Sequence, residues 1–159
     1  MIRQVLRDDW ERLRDVRLLA LAEDPEAFLE THAEASKFPD ARWQERATPA
    51  DESSSFVVER DGRFDGLVSC FVAADPATVF LVAMWVAPEL RGTGIARALV
   101  ERVVDWAGRH GAARVCLSVE SSNDRAARLY ENCGFTETRD PPPFPYEPNA
   151  GNRFYVYEL

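Results

Sequence analysis

The stretch from Thr78 to Arg109 limits the fold more than any other part of the chain. It reads TVFLVAMWV, then APELRGTG, then IARALVERVVDWAGR. Residues 78–86 are apolar, β-branched and aromatic, the composition of a strand buried on both faces. Pro88 stops that strand. Residues 94–109 place Ile95, Leu99, Val103 and Trp106 on one side of a long amphipathic helix, and Gly111 ends it. Two glycines, Gly92 and Gly94, stand where strand passes into helix. The first N–H groups of a helix lack internal partners, and the helix dipole favours negative charge there. Glycine admits positive φ and lets a phosphate approach with no Cβ in the way. The junction therefore reads as an anion site, or else as a plain turn with a glycine hinge.

The remaining chain frames that unit. Residues 8–22 form an amphipathic helix pattern, with Asp8 and Glu11 at capping-box spacing and Trp10, Leu13, Val16 and Ala20 on one face. PEAFLETHAEASKF predicts a second helix or helical turns ending before Pro39, and DARWQERA a short third one. SSSFVVER and RFDGLVSCFVAA, joined by Asp61-Gly62, predict a hairpin. ARVCLSVES is a further buried strand, NDRAARLYENCGF a helix closed at Gly134, and NRFYVYEL a last strand after a proline-rich loop. Helices, three strands, helix, strand, helix and final strands predict a mixed α/β sheet with helices on its faces. No repeat or linker divides residues 1–159, so a single domain is expected.

Composition narrows the partners. Hydrophobic residues make up 46 % of the chain, which disfavours disorder. A formal charge of −8 argues against a nucleic-acid partner. No apolar run approaches the roughly 18 residues of a membrane span, and MIRQVLRDDW lacks a signal-peptide core. The expectation is a cytoplasmic protein with no membrane partner. Cys70, Cys116 and Cys133 lack metal spacing and read as reduced, apolar residues, so no metal is expected.

Among phosphate-binding turns, a P-loop needs Gly-Lys-Ser/Thr, which is absent. A dinucleotide fingerprint needs a small residue where Arg97 stands, and belongs to a first βα unit. Arg91-Gly92-Thr93-Gly94-Ile95-Ala96 instead has the form Arg/Gln-x-x-Gly-x-Gly/Ala, and it is followed by SNDRAARLYENCGF. Together these resemble the GNAT N-acetyltransferase superfamily, whose second motif is matched by Asn123, Ala126, Leu129, Tyr130, Gly134 and Phe135. The specific likeness spans residues 78–135.

The resemblance implies a central, mostly antiparallel sheet in which two parallel strands, 78–86 and 114–120, splay apart to admit acetyl-CoA. It implies that the backbone of Met84, Trp85 and Val86 pairs with the pantetheine arm. The N–H groups from Arg91 through Gly92, Thr93, Gly94, Ile95 and Ala96 would hold the diphosphate. Arg91 and Arg97 would add charge there or stay solvated. Asn123 would touch the pantetheine arm, cap its helix, or both. Tyr130 would be the general acid for the leaving thiolate. The general base departs from the family pattern: strand 78–86 has no carboxylate, Ser118 stands where some relatives carry glutamate, and Glu120 remains as the candidate. The implied activity is direct acetyl transfer to a primary amine of a small molecule or peptide. The alternative is a non-catalytic acyl-CoA sensor, against which Tyr130 argues.

The resemblance also implies an acceptor site between residues 24–40 and 139–152. These segments, with Glu23 just before the first, bring Asp24, Glu26, Glu30, His32, Glu34, Asp140 and Glu147 together with Phe28, Phe38, Phe144 and Tyr146. Such walls suit a cationic amine, or else the acidic residues are simply solvated in a chain of charge −8. Trp85 lines either the gap or the opposite face. A homodimer is one expectation, with the final FYVYEL strand as an exposed edge to pair through.

Overall fold

The computed structural model describes residues 1–159. Along the chain run β1 (Ile2–Gln4), α1 (Trp10–Glu23), α2 (His32–Ala35), α3 (Asp40–Ala47), β2 (Ser53–Arg60), β3 (Arg63–Val72) and β4 (Thr78–Val86). They are followed by α4 (Ile95–Arg109), β5 (Arg114–Val119), α5 (Asp124–Asn132), β6 (Thr136–Thr138) and β7 (Arg153–Glu158). The strands form one seven-stranded sheet in the order β1-β2-β3-β4-β5-β7-β6. Every pairing is antiparallel except β4–β5. The expected mixed, mostly antiparallel sheet with one parallel pair is the fold observed.

The two faces of the sheet bury different helices. Phe56, Val68, Val79, Leu81, Val115 and Leu117 pack against Leu99, Val103 and Trp106 of α4 and Tyr130 of α5. Val57, Leu67 and Trp85 pack on the other face with Leu13, Val16 and Ala20 of α1. Fully burying each such side chain is worth roughly 1.5–3 kcal/mol. Packing, more than helix propensity, therefore holds these helices in place. A charged seam fixes α1 to the sheet edge. Arg3 of β1 and Arg12 of α1 both bond to buried Asp9, at 2.7 and 2.5 Å, and both reach Glu59 of β2 at 2.6 Å.

Three expectations are corrected, and the open placement of Trp85 is decided. The chain opens with a three-residue strand, β1, whose pairing to β2 no local pattern announced. The Asp8/Glu11 capping box does not form. A helical turn over Arg7–Asp9 precedes α1, and Asp9 Oδ2 accepts from the Leu6 N–H at 2.9 Å. FYVYEL is not an edge, because β7 lies between β5 and β6 and the edges are β1 and β6. Trp85 faces α1, away from Val79 and Leu81. The last result comes from a bulge in β4. Leu67 pairs with Trp85 but Ser69 with Val82, and Ala83 sits at φ 56°. The extra residue reverses the alternation beyond it, so Met84 and Val86 join the α4 face and Trp85 the α1 face.

Candidate active site

The site begins where a parallel pairing stops. β4 and β5 are in register only over Thr78–Phe80 and Arg114–Cys116. Both strands continue, to Val86 and Val119, bonded to β3 and β7 on their outer sides but no longer to each other. The bulge at Ala83 turns β4 away just beyond the last shared residue. The sheet therefore opens into a gap between Met84–Val86 on one side and Ser118–Val119 on the other.

Beyond the gap, the chain passes through Pro88–Leu90 into the glycine turn and α4. Gly92 and Gly94 have φ of 78° and 87°, in the left-handed region. A Cβ on either would meet nothing within 4 Å, so the requirement is conformational and the space outside the turn is open. The N–H groups of Arg91 and Thr93 are satisfied by the Pro88 and Leu90 carbonyls. Those of Gly92, Gly94, Ile95, Ala96 and Arg97 have no partner in the protein, and they cluster at the positive end of a 15-residue helix. The donor set is thus narrower at Arg91 and Thr93 than the motif implied, and extends one residue further, to Arg97.

The two arginines of the turn have other partners. Arg91 Nε donates to the Val86 carbonyl at 3.1 Å, and Nη2 donates to Asp24 at 2.9 Å. The Trp85 indole N–H donates to the same Asp24 oxygen at 2.8 Å. Asp24 thereby ties the end of α1 to the end of β4 and to the turn. Arg97 is exposed and pairs with Glu101 at 3.0 Å.

On the far side of β5, Asn123 Oδ1 accepts the Ala126 N–H at 3.1 Å and caps α5. That leaves its amide NH₂ free. Tyr130 is 5 % exposed and packs edge-on against Phe135. Its hydroxyl has no hydrogen-bond partner in the protein, and it is not among the sealed-off polar atoms. Burial pushes the phenol above its ordinary range, so it stays protonated at neutral pH. Burial likewise raises the thiols of Cys70, to about 12, and Cys116, to about 11, so neither is a thiolate nucleophile. Glu120 caps the turn before α5. It accepts from the Ser122 hydroxyl at 2.5 Å and N–H at 3.0 Å, and these bonds hold its carboxyl below the usual range.

A cavity of about 1070 Å³ opens on the α1 face of the sheet and reaches both parted strands, at Leu81–Ala83 and at Ser118 and Glu120. Of the acceptor-side residues expected from sequence, Glu26, Phe28, Glu30 and Tyr146 line it. Burial raises the Tyr146 phenol, and the Ser118 hydroxyl beside it offsets part of that. Glu23, His32, Glu34, Asp140 and Glu147 are exposed outside it. Phe144 is a structural anchor. It packs on Phe80 at 4.6 Å and Phe154 at 5.3 Å, and so seats the proline-rich loop on the sheet. Sequence reading missed α3 and the hairpin as walls, together with Arg17, Arg46, Ser55 and Ser69. One signal was present for Arg17. It interrupts the i, i+4, i+8 row Leu13–Arg17–Leu21, whose two leucines are buried.

The profile of the acetyltransferase (GNAT) family matches residues 10–135. A [ribosomal protein bS18]-alanine N-acetyltransferase of Escherichia coli is 32 % identical over 106 residues, covering 65 % of this chain and 68 % of that one. A mycothiol acetyltransferase of Beutenbergia cavernae is 38 % identical over 103 residues, 64 % of this chain and 35 % of its own length. Among solved structures, the GNAT domain of S. lividans PAT superposes with TM-score 0.79 at 20 % identity, covering 99 % of this chain and 89 % of that one. A PaiA N-acetyltransferase from Thermoplasma acidophilum, in complex with coenzyme A, gives 0.78 at 14 % identity, with 100 % and 98 % covered. At such identities the structural likenesses establish the fold. No helix here is long and apolar enough to cross a membrane.

Proposed function

The chain belongs to the acetyltransferase (GNAT) family, and on that premise we propose that it moves an acetyl group from acetyl-CoA to a primary amine of a small molecule or peptide. The observation that carries this reading is the set of five unpartnered N–H donors at Gly92 and Gly94–Arg97, beside strands that part after three shared residues. A diphosphate is satisfied by several convergent N–H groups at a helix N-terminus. Pantetheine, an extended chain of amides, suits a strand edge with no neighbour. Met84–Val86 would pair with it, and Asn123 would meet it from α5 through its free amide.

Acetyl-CoA would supply an activated thioester at the gap. Nitrogen attack on its carbonyl carbon forms the amide bond and breaks the C–S bond. Tyr130 holds a proton for the departing sulfur, since its buried phenol stays neutral and has no competing acceptor. Glu120 stands at the cavity end of the gap to receive the amine's proton through water. Its low pKa makes it a weak base, so amine ionisation in solution governs how much nucleophile is available. With its thiols held protonated, the chain presents no activated cysteine, and transfer runs directly between the two substrates. The free cysteines suit a reducing cytoplasm. The sensor alternative has no observation in its favour.

The test is a mass-spectrometric screen of purified protein with acetyl-CoA and pooled amines, with a no-acceptor control. Acceptors heavier by one acetyl group, with matching release of free CoA, are expected. Acetyl-CoA binding with no product from any pool would contradict catalysis.

A further inference from the structure

The acceptor cavity differs from the acidic, aromatic wall expected for a simple cationic amine. Two of its lining aromatics, Phe28 and Trp43, together with neighbouring Phe38, are already covered by the chain's own cations, whereas Phe71 and Tyr146 carry none. Arg17 lies over Phe28 at 4.5 Å, Arg42 over Phe38 at 3.7 Å, and Arg46 between Phe38 and Trp43 at 4.8 and 5.3 Å. A cationic ligand would have to displace them to use those rings.

The arginines also outnumber the carboxylate placed among them. Glu30 bonds to Arg46 at 2.8 Å and to Arg17 at 3.2 Å. The Arg17 and Glu30 side chains are only 12 % and 16 % exposed, so solvent screens the group poorly. One carboxylate against two guanidiniums leaves a net positive charge in a half-buried wall. Arg17 Nη1 is moreover the single buried side-chain polar atom of the molecule without a hydrogen-bond partner. Buried donors are normally satisfied, and an orphan beside a cavity points to a missing acceptor. Burial pulls Arg17 below its ordinary pKa and Glu30 offsets only part of this, which agrees with incomplete compensation. Of the other lining carboxylates, Glu26 and Glu45 are exposed and half-buried Glu120 is taken up by Ser121 and Ser122, and none of the three bonds to an arginine. Elsewhere on the lining, the Ser55 and Ser69 hydroxyls bond to each other at 2.7 Å, which leaves one hydroxyl hydrogen for a ligand.

We propose that the acceptor carries a carboxylate as well as its amine, as an amino acid or short peptide does. Arg17 and Arg46, spaced by Glu30, hold that carboxylate at the α1–α3 wall. The amine then lies toward Leu81–Ala83 and Ser118, where the strands part. This rests on the acetyl-transfer reading above and adds the class of its acceptor.

The test pairs amino acids and dipeptides with their C-terminal amides, each assayed for CoA release alongside a direct measurement of acetyl-CoA binding. The expected result is a kcat/KM for the acids about tenfold or more above that for the amides. Arg17→Gln, and separately Arg46→Gln, should bring that ratio toward one through KM for the acids, with acetyl-CoA affinity unchanged. The unchanged affinity certifies a folded protein. Should Arg17→Gln not fold, Arg46→Gln on the more exposed partner gives the same readout. Amides turned over as well as acids contradict the proposal, as does turnover of only carboxylate-free amines. So does a failure of every acid while acetyl-CoA binds. Loss of acetyl-CoA binding by the wild-type protein would instead overturn the reading beneath it.

Discussion

On the α4 side of the parted strands, the groups free to bind are main-chain N–H donors within one short turn, Gly92 and Gly94–Arg97. On the α1 side they are side chains brought together from α1, α3, the β2–β3 hairpin and the loop before β7. The first arrangement is local, and the diphosphate proposed for it is a ligand that any correctly shaped turn can hold. The second is assembled across the chain, and each of its charges depends on partners in other elements. The difference teaches that the proposed cosubstrate site is fixed by a backbone conformation, whereas the proposed acceptor site beside it is set by side-chain content. Asp24 joins the two, accepting from both Trp85 and Arg91.

Changes on each side should therefore separate catalysis, cosubstrate binding and acceptor choice. Tyr130→Phe removes the proposed acid and little else. It should lower kcat about 10²–10³-fold with acetyl-CoA affinity nearly unchanged, read by steady-state kinetics and calorimetry. An equal fall in both would recast Tyr130 as a binding residue. Gly94→Val forces a β-branched residue to φ 87°, a strain of order 1–3 kcal/mol. It should weaken acetyl-CoA binding about ten- to hundredfold without changing the acid-to-amide preference. Asp24→Ala strips the acceptor from two donors, one on nearly buried Trp85, and should cost about 1–3 kcal/mol of stability in denaturant unfolding. It is the substitution expected to disturb both sides together, and an effect on one side alone would remove Asp24 as their link.

The smallest effects concern protons. Because hydrogen bonds from Ser122 keep Glu120 ionised, Glu120→Gln should change kcat/KM by less than about threefold. The pH profile should rise with deprotonation of the amine. It should not fall at the ordinary tyrosine pKa of about 10, because Tyr130 titrates above that value. A descending limb near neutrality would place a different acid in the site.

The contrast also explains what could be read from sequence. The order of helices and strands, the Asp61-Gly62 hairpin and the glycine turn follow from periodicity and turn chemistry, which act over a few residues. Ala83 carries no such mark. Nothing local announces a non-glycine residue at φ 56°, yet that bulge alone decides that Trp85 faces α1. β1 is hidden because three residues leave no alternation to detect, and the interior place of β7 because β6 is equally short. The acceptor wall was read as acidic because its glutamates and aromatics are close in sequence. Of those that line the cavity, only Glu30 and Phe28 take Arg17 or Arg46 as partners, and those arginines lie in other helices.

The measurement that tests the central claim most directly is an amide NMR titration of the ¹⁵N-labelled protein with acetyl-CoA. The account predicts the largest shifts at the unpartnered N–H groups of Gly92, Gly94, Ile95, Ala96 and Arg97. It predicts small ones at Arg91 and Thr93, whose N–H groups already bond to Pro88 and Leu90. Saturable binding that leaves those five signals in place would contradict it.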